Sequence, residues 1–247
     1  MFKNLNYNKL KIDKNRDYKL GVLFTIIPVV LFAAILCNKT MPAAEGWYTY
    51  YAQLINNGQV VYKDFEYLFM PGYITFIALF TKIFGYSIIA LRILGVIFFT
   101  IIAYLAYRIF NELFNPIAAC MGALVTAFYL QSEVVQIFYD YIRMMDIFAY
   151  LTIFLLIKMG KSFIAKEKPD IKITLLAGFS NAMVLMVKQN IGLLFGFFVL
   201  IYFIFLFVYE KDKKTVFLNL LYYGCGAAIV FAGYGIYLLA NGALGAC

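Results

Sequence analysis

Residues 191–209 read IGLLFGFFVLIYFIFLFVY, a run without a single charged residue. At 1.5 Å of rise per residue such a helix spans about 28 Å, close to the roughly 30 Å of hydrocarbon in a bilayer. Comparable apolar runs recur on both sides of it: Leu20–Cys37, Ser87–Ile109, Pro116–Leu130, Ile147–Met159, Ile173–Val187 and Val216–Ala240. Together they predict an all-α, polytopic transmembrane helical bundle with about seven spans. The composition agrees. Of 247 residues 64% are hydrophobic and 14% charged, too little charge to cover the surface of a water-soluble domain. No internal repeat or linker divides the chain, so residues 1–247 read as one transmembrane module.

The polar segments give the orientation. Residues 1–19 carry Lys3, Lys9, Lys11, Lys14, Arg16 and Lys19 and read as a cytoplasmic tail. The run after it reads as an uncleaved signal-anchor, because no small-x-small site follows and Leu36 spoils a lipoprotein-type cut before Cys37. With the N-terminus inside, Arg108, Lys158, Lys161, Lys166, Lys168, Lys172, Lys211, Lys213 and Lys214 also fall on the cytoplasmic side. Lys39, Lys63, Lys82, Arg92, Arg143 and Lys188 fall on the outer side or at outer span ends. That imbalance satisfies the positive-inside rule and accounts for the net charge of +8 without nucleic acid. Residues 38–86 then form a first outer loop.

The absence of histidine excludes a Ser-His-Asp triad, a Cys-His pair and any imidazole metal site. Cys37, Cys120, Cys225 and Cys247 form no CxxC pair and read as small packed or lipid-facing residues. Acid–base chemistry must rest on Asp, Glu, Lys, Tyr or Arg. Gly224-x-Gly226 and Gly233-x-Gly235 lie inside an apolar run, where small residues let helices approach closely.

The outer loop carries most of the chemistry. Trp47, Tyr50, Tyr51, Leu54 and Ile55 recur at helical spacing and predict an amphipathic helix lying along the membrane surface, stopped by Asn57-Gly58. Pro71-Gly72 opens a second short apolar run that ends at Gly85 and suits a second interfacial helix. Glu45 precedes the first of these helices; as plain structure it would complement the helix dipole. Asp64 and Glu66 add two acids to the same loop, and carboxylates gathered at a membrane surface can act as a general base or hold a divalent ion. Asp140, Arg143 and Asp146 are spaced so that they can satisfy one another on a helix. Lys188-Gln189-Asn190 interrupts two apolar runs on the outer side, where a lysine can meet a phosphate or snorkel to the interface.

Glu45-Gly46-Trp47-Tyr48, Tyr51-Ala52, Gly58, Tyr62-x-Asp64-Phe65 and Pro71-x-Tyr73 resemble the first outer loop of membrane glycosyltransferases of the GT-C fold. The similarity points to bacterial relatives of protein mannosyltransferases and aminoarabinose transferases. It implies an enzyme that moves a sugar from a polyprenyl-phosphate carrier to a glycan, lipid or protein acceptor at the outer face of the cytoplasmic membrane. On this resemblance Glu45 is the catalytic base, although Ala44 stands where many relatives carry an Asp. Asp146, with Asp140 in reserve, supplies the acid of the second outer loop. Lys188 and Arg92 contact the carrier phosphate, and Tyr62, Asp64 and Glu66 support the loop. Any divalent ion would use Asp146 and Asp64. Relatives are usually much longer, so the chain reads as an N-terminal portion of a larger protein. The competing readings are a transporter or flippase subunit, or an inactive GT-C-like scaffold. Acids at outer span ends, rather than at mid-membrane, favour surface chemistry over transport.

Overall fold

The structure, a computed structural model, describes residues 14–37, 45–132, 139–243 and 245. The basic residues Lys3, Lys9, Lys11 and Lys39, the Ala44 position, residues 133–138 and Cys247 lie outside the described residues.

Among the described residues the chain is all helical: α1 (Lys14–Leu36), α2 (Glu45–Asn56), α3 (Gly72–Phe84), α4 (Ile88–Leu113), α5 (Pro116–Ser132), α6 (Tyr141–Ile164), α7 (Ile171–Val187), α8 (Gln189–Tyr209) and α9 (Lys213–Ala240). Helices α1, α4, α6, α8 and α9 are long and apolar enough to cross a bilayer. Helices α5 and α7 are shorter but packed among them, α5 against α1 and α4, α7 against α6, α8 and α9. The seven expected spans are thus present as helices. Their short members reach about 25 Å each at 17 residues, a mismatch that a bilayer absorbs at modest cost.

Local chemistry sets several boundaries. Asp170 accepts a bond from the Lys172 backbone N–H at 2.8 Å and caps α7, while Asp212 caps α9 through Thr215 N at 3.1 Å. Gly58 (φ 89°) follows the end of α2, and Gly85 (φ 77°) ends α3; both lie in the left-handed region that glycine adopts without steric cost. Helix α6 begins at Tyr141, six residues before the expected span start at Ile147, so Arg143 and Asp146 lie within the helix. Their charges read as a loop in the sequence, but each neutralises the other one turn apart, at 3.6 Å.

Two close contacts shape the bundle. A Cβ on Gly178 of α7 would stand 1.9 Å from the Tyr223 carbonyl oxygen of α9, and one on Gly226 would stand 2.0 Å from the Leu175 carbonyl oxygen. The two helices therefore pack backbone to backbone, and Thr174 donates to Asn219 Oδ1 at 2.8 Å across the same seam. Of the four glycines noted in the α9 run, Gly226 alone meets a neighbour; Gly224, Gly233 and Gly235 face open space.

The α2–α3 hairpin covers one end of this bundle. Its buried residues Tyr48, Ala52, Tyr73, Ile74 and Ile77 join Leu91, Leu94 and Phe98 of α4, Tyr139, Met144 of α6 and Val187 of α7 in one apolar cluster. Helix α2 turns Glu45, Tyr48 and Ala52 toward the bundle and leaves Trp47 and Tyr50 70% and 57% exposed.

Candidate active site

The site grows from α2. Glu45, its first residue, is 1% exposed. A buried carboxylate needs a partner, and Arg92, one turn into α4, supplies it with a two-pronged bond: Nε to Oε1 and Nη2 to Oε2, both 3.1 Å. Arg92, expected at a phosphate, is here the counter-ion of the expected base.

Three residues further along α2, on the same face, the Tyr48 hydroxyl donates to Asp140 Oδ1 at 3.0 Å. Asp140 precedes α6 at its N-cap position, although its side chain makes no capping bond there. Burial holds the Asp140 carboxyl above its ordinary range, and the Tyr48 hydrogen bond opposes that shift. Burial also drives the Tyr48 hydroxyl upward, with the Asp140 charge adding to it, so the shared proton stays on the tyrosine.

Tyrosines enclose this pair. The Tyr48 ring meets Tyr73 edge-on at 4.9 Å and Tyr139 at 6.4 Å, and the Tyr73 hydroxyl donates to the Tyr139 carbonyl. Tyr139, the neighbour of Asp140 in sequence, also feels the charges of both Glu45 and Arg92. Tyr67, Phe69 and Tyr141 continue the aromatic wall, with Phe69 and Tyr141 ring centroids 4.7 Å apart. Lys188 reaches the same wall: its Nζ lies 5.2 Å from the Tyr141 ring centroid, and Gln189 Oε1 accepts from the Met70 backbone N–H at 3.3 Å. Lys188 is the single residue between α7 and α8, so a sharp break in the helical path presents it at this end of the bundle.

Glu45, Arg92, Asp140 and Lys188 thus share one aromatic cluster. Asp146 lies further along α6, paired with Arg143, whose guanidinium sits 5.0 Å from the Phe99 ring centroid. The remaining candidates do different work. Asp64 Oδ2 accepts from Val60 N at 2.7 Å and shapes the loop between α2 and α3. Tyr62, at φ 70°, donates to the Phe69 carbonyl at 2.6 Å. The neighbouring Lys63 donates to Asn241 O at 2.8 Å and ties this loop to the end of α9. Glu66 is exposed. Among the described residues no group of three Asp, Glu, His or Cys side chains stands close enough to hold a metal ion.

Sequence reasoning met Tyr48 and Tyr73 as motif residues without giving them a role, and missed Tyr139 and Tyr141. For Tyr48 a signal existed, since it lies at i+3 from Glu45 and must share its helix face.

The dolichyl-phosphate-mannose-protein mannosyltransferase family model matches residues 70–237, more than half of the chain. That span runs from α3 into α9 and contains Arg92, Asp140, Asp146 and Lys188, while Glu45 and the acids of the α2–α3 loop precede it. No curated protein and no solved structure matches the chain. With its all-helical bundle and several membrane-crossing helices, the chain belongs to the dolichyl-phosphate-mannose-protein mannosyltransferase family, membrane glycosyltransferases of the GT-C type.

Proposed function

We propose that this chain forms the membrane core of a glycosyltransferase that moves a sugar from a polyprenyl-phosphate carrier to an acceptor hydroxyl at the outer face of the cytoplasmic membrane. The observation that carries the reading is the gathering of Glu45–Arg92, Tyr48–Asp140 and Lys188 in one cluster at one end of the bundle. Phosphate, sugar and acceptor need a cation, hydroxyl-binding groups and a base within a small space, and this end supplies all three. The basic turns α6–α7 and α8–α9 lie at the opposite end, which the positive-inside rule assigns to the cytoplasm.

The ion pair gives the mechanism its order. While Arg92 holds both Glu45 oxygens, they are not free to accept a proton from an acceptor. A carrier phosphate competes for the same guanidinium, and its arrival at Arg92 and Lys188 releases Glu45. The acceptor oxygen then attacks the anomeric carbon as its proton passes to Glu45. The bond from that carbon to the phosphate oxygen breaks, and its electron pair leaves with the polyprenyl phosphate. Displacement in one step inverts the anomeric centre. Asp140, held by Tyr48, orients the acceptor or the sugar through hydrogen bonds, and Asp146 supports the same helix turn.

The test is release of sugar from a labelled polyprenyl-phosphate donor by the full-length gene product in detergent. Turnover that disappears in Glu45→Gln while the protein stays folded supports the reading. Undiminished turnover in that variant removes Glu45 as the base, and no turnover with any donor sugar favours a transporter or an inactive scaffold. Reporter fusions within residues 57–70 and 165–170 check sidedness, with the first set expected outside and the second inside.

A further inference from the structure

The end of the bundle opposite the site carries a second feature that glycosyl transfer does not use. Helices α6 and α8 both pack on α7 but diverge from one another, leaving a cleft of about 430 Å³. Leu113, Ile153, Ile157, Gly160, Phe198 and Tyr202 line it, and Lys161 stands among them. The Tyr202 hydroxyl donates to the Leu156 carbonyl at 2.9 Å and bridges the two helices, passing where Gly160 has no side chain. The volume lies within the range of small-molecule sites, and the walls are almost wholly apolar.

Around the turn of α6 that carries Lys161 the charges do not balance. Lys161 is 47% exposed and bonds to Glu112 at 2.6 Å. Arg108 and Lys158 both lie over the Phe154 ring, at 4.7 Å and 5.4 Å from its centroid. Among the described residues neither has a carboxylate within ion-pair distance. Arg108 Nη1 donates to the Tyr104 hydroxyl at 2.7 Å, a neutral partner. Glu112 also acts on Arg108 through space, so three cations share this one carboxylate and positive charge is left in excess beside the Phe154 ring. Like charges held so close repel each other unless an anion joins them.

We propose that this region binds one anionic glycerophospholipid, an acyl chain lying in the α6–α8 cleft and the phosphate resting against Lys158 and Lys161. Apolar walls that meet a basic rim at a membrane boundary match that ligand, and basic pockets between spans on the cytoplasmic side are suited to anionic headgroups. The sugar donor is a poorer match. Asp140 and Lys161 are 21 residues apart along α6, about 32 Å at helical rise, so a phosphate at Lys161 is not the one beside the candidate active site. The orientation proposed above names the leaflet, whereas the binding itself can be read without any transferase activity.

Native mass spectrometry of the full-length protein tests this, with phosphatidylglycerol, phosphatidylcholine and polyprenyl phosphate added in turn. One phosphatidylglycerol should be retained in preference to phosphatidylcholine of the same chains. Lys158→Gln should weaken retention of phosphatidylglycerol about fivefold, the effect of one basic residue near a lipid surface, and leave phosphatidylcholine unchanged. Ile157→Trp, which fills the cleft, should lower retention of both by more than tenfold. Phe198→Trp does the same from the α8 wall if Ile157→Trp does not fold. Equal retention of the two phospholipids, no effect of either tryptophan, or preferential capture of polyprenyl phosphate would each overturn the proposal.

Discussion

Glu45 and Arg92 close a two-pronged ion pair between the start of α2 and the first turns of α4, both bonds 3.1 Å and the Glu45 side chain 2% exposed. Removing one member of a buried pair leaves the other uncompensated, at a cost of about 3–5 kcal/mol, while removing both costs much less. Glu45→Gln and Arg92→Gln should each lower thermal stability in detergent, and the double variant should recover part of the loss. Additive losses in such a double-mutant cycle would mean that the two side chains do not interact.

Tyr48 and Asp140 link α2 to the start of α6, and their protonation sets a pH dependence. Burial raises the Asp140 carboxyl above the ordinary 3.8, so the folded state binds its proton more tightly than the unfolded chain does. The sign follows: this contribution to stability is full below pH 3.8 and is lost as pH rises through the raised folded-state value. Melting temperature measured across the acid range should show that fall in the native protein, and Asp140→Asn should flatten it. Tyr48→Phe removes the hydrogen bond that opposes the shift, so the fall should move to higher pH. An unchanged profile in both variants would detach Asp140 from the stability of this end.

The spans could be read from the chain because bilayer thickness fixes the length of an apolar run, and α4, α8 and α9 begin and end within a few residues of expectation. The start of α6 was placed too late because its first turns carry Arg143 and Asp146, although their i,i+3 spacing already allowed a pair on a helix. The same limit applied to the site. Glu45, Asp140 and Lys188 stand out as ionisable residues beside apolar runs, and the structure gathers them at one end. The pairing of Glu45 with Arg92 depends on how α2 lies across α4, a tertiary relationship that spacing does not encode. Tyr139 and Tyr141 were hidden by abundance: with 21 tyrosines in the chain, interfacial placement explains any one of them.

The α7–α9 seam makes a sharp prediction, because its backbone contacts leave no room for a methyl group at Gly178 or Gly226. Gly178→Ala and Gly226→Ala should each destabilise the protein by about 1–3 kcal/mol, the usual cost of overpacking. Gly233→Ala, which meets nothing, should be neutral or slightly stabilising through its better helix propensity. The comparison is read from melting temperatures of the three variants in one detergent. A Gly233→Ala loss as large as the other two would show that helix flexibility, rather than the α7–α9 contact, is what the glycines provide.

Lys188 separates a phosphate contact from a snorkelling residue. Its Nζ lies over Tyr141, which packs in the aromatic cluster, and among the described residues its side chain makes no capping hydrogen bond to α8 that would explain a purely local role. A charge-assisted hydrogen bond contributes about 1.5–3 kcal/mol, so Lys188→Ala should lower kcat/KM for the lipid-linked donor by roughly 10- to 100-fold. Lys188→Arg, which keeps the charge but changes the geometry, should recover part of that loss. A lysine that only reaches for the interface would leave kcat/KM unchanged on truncation and would show up in melting temperature alone. Measuring both quantities on the same preparations therefore distinguishes the roles, and normal donor kinetics in Lys188→Ala would assign the carrier phosphate to Arg92.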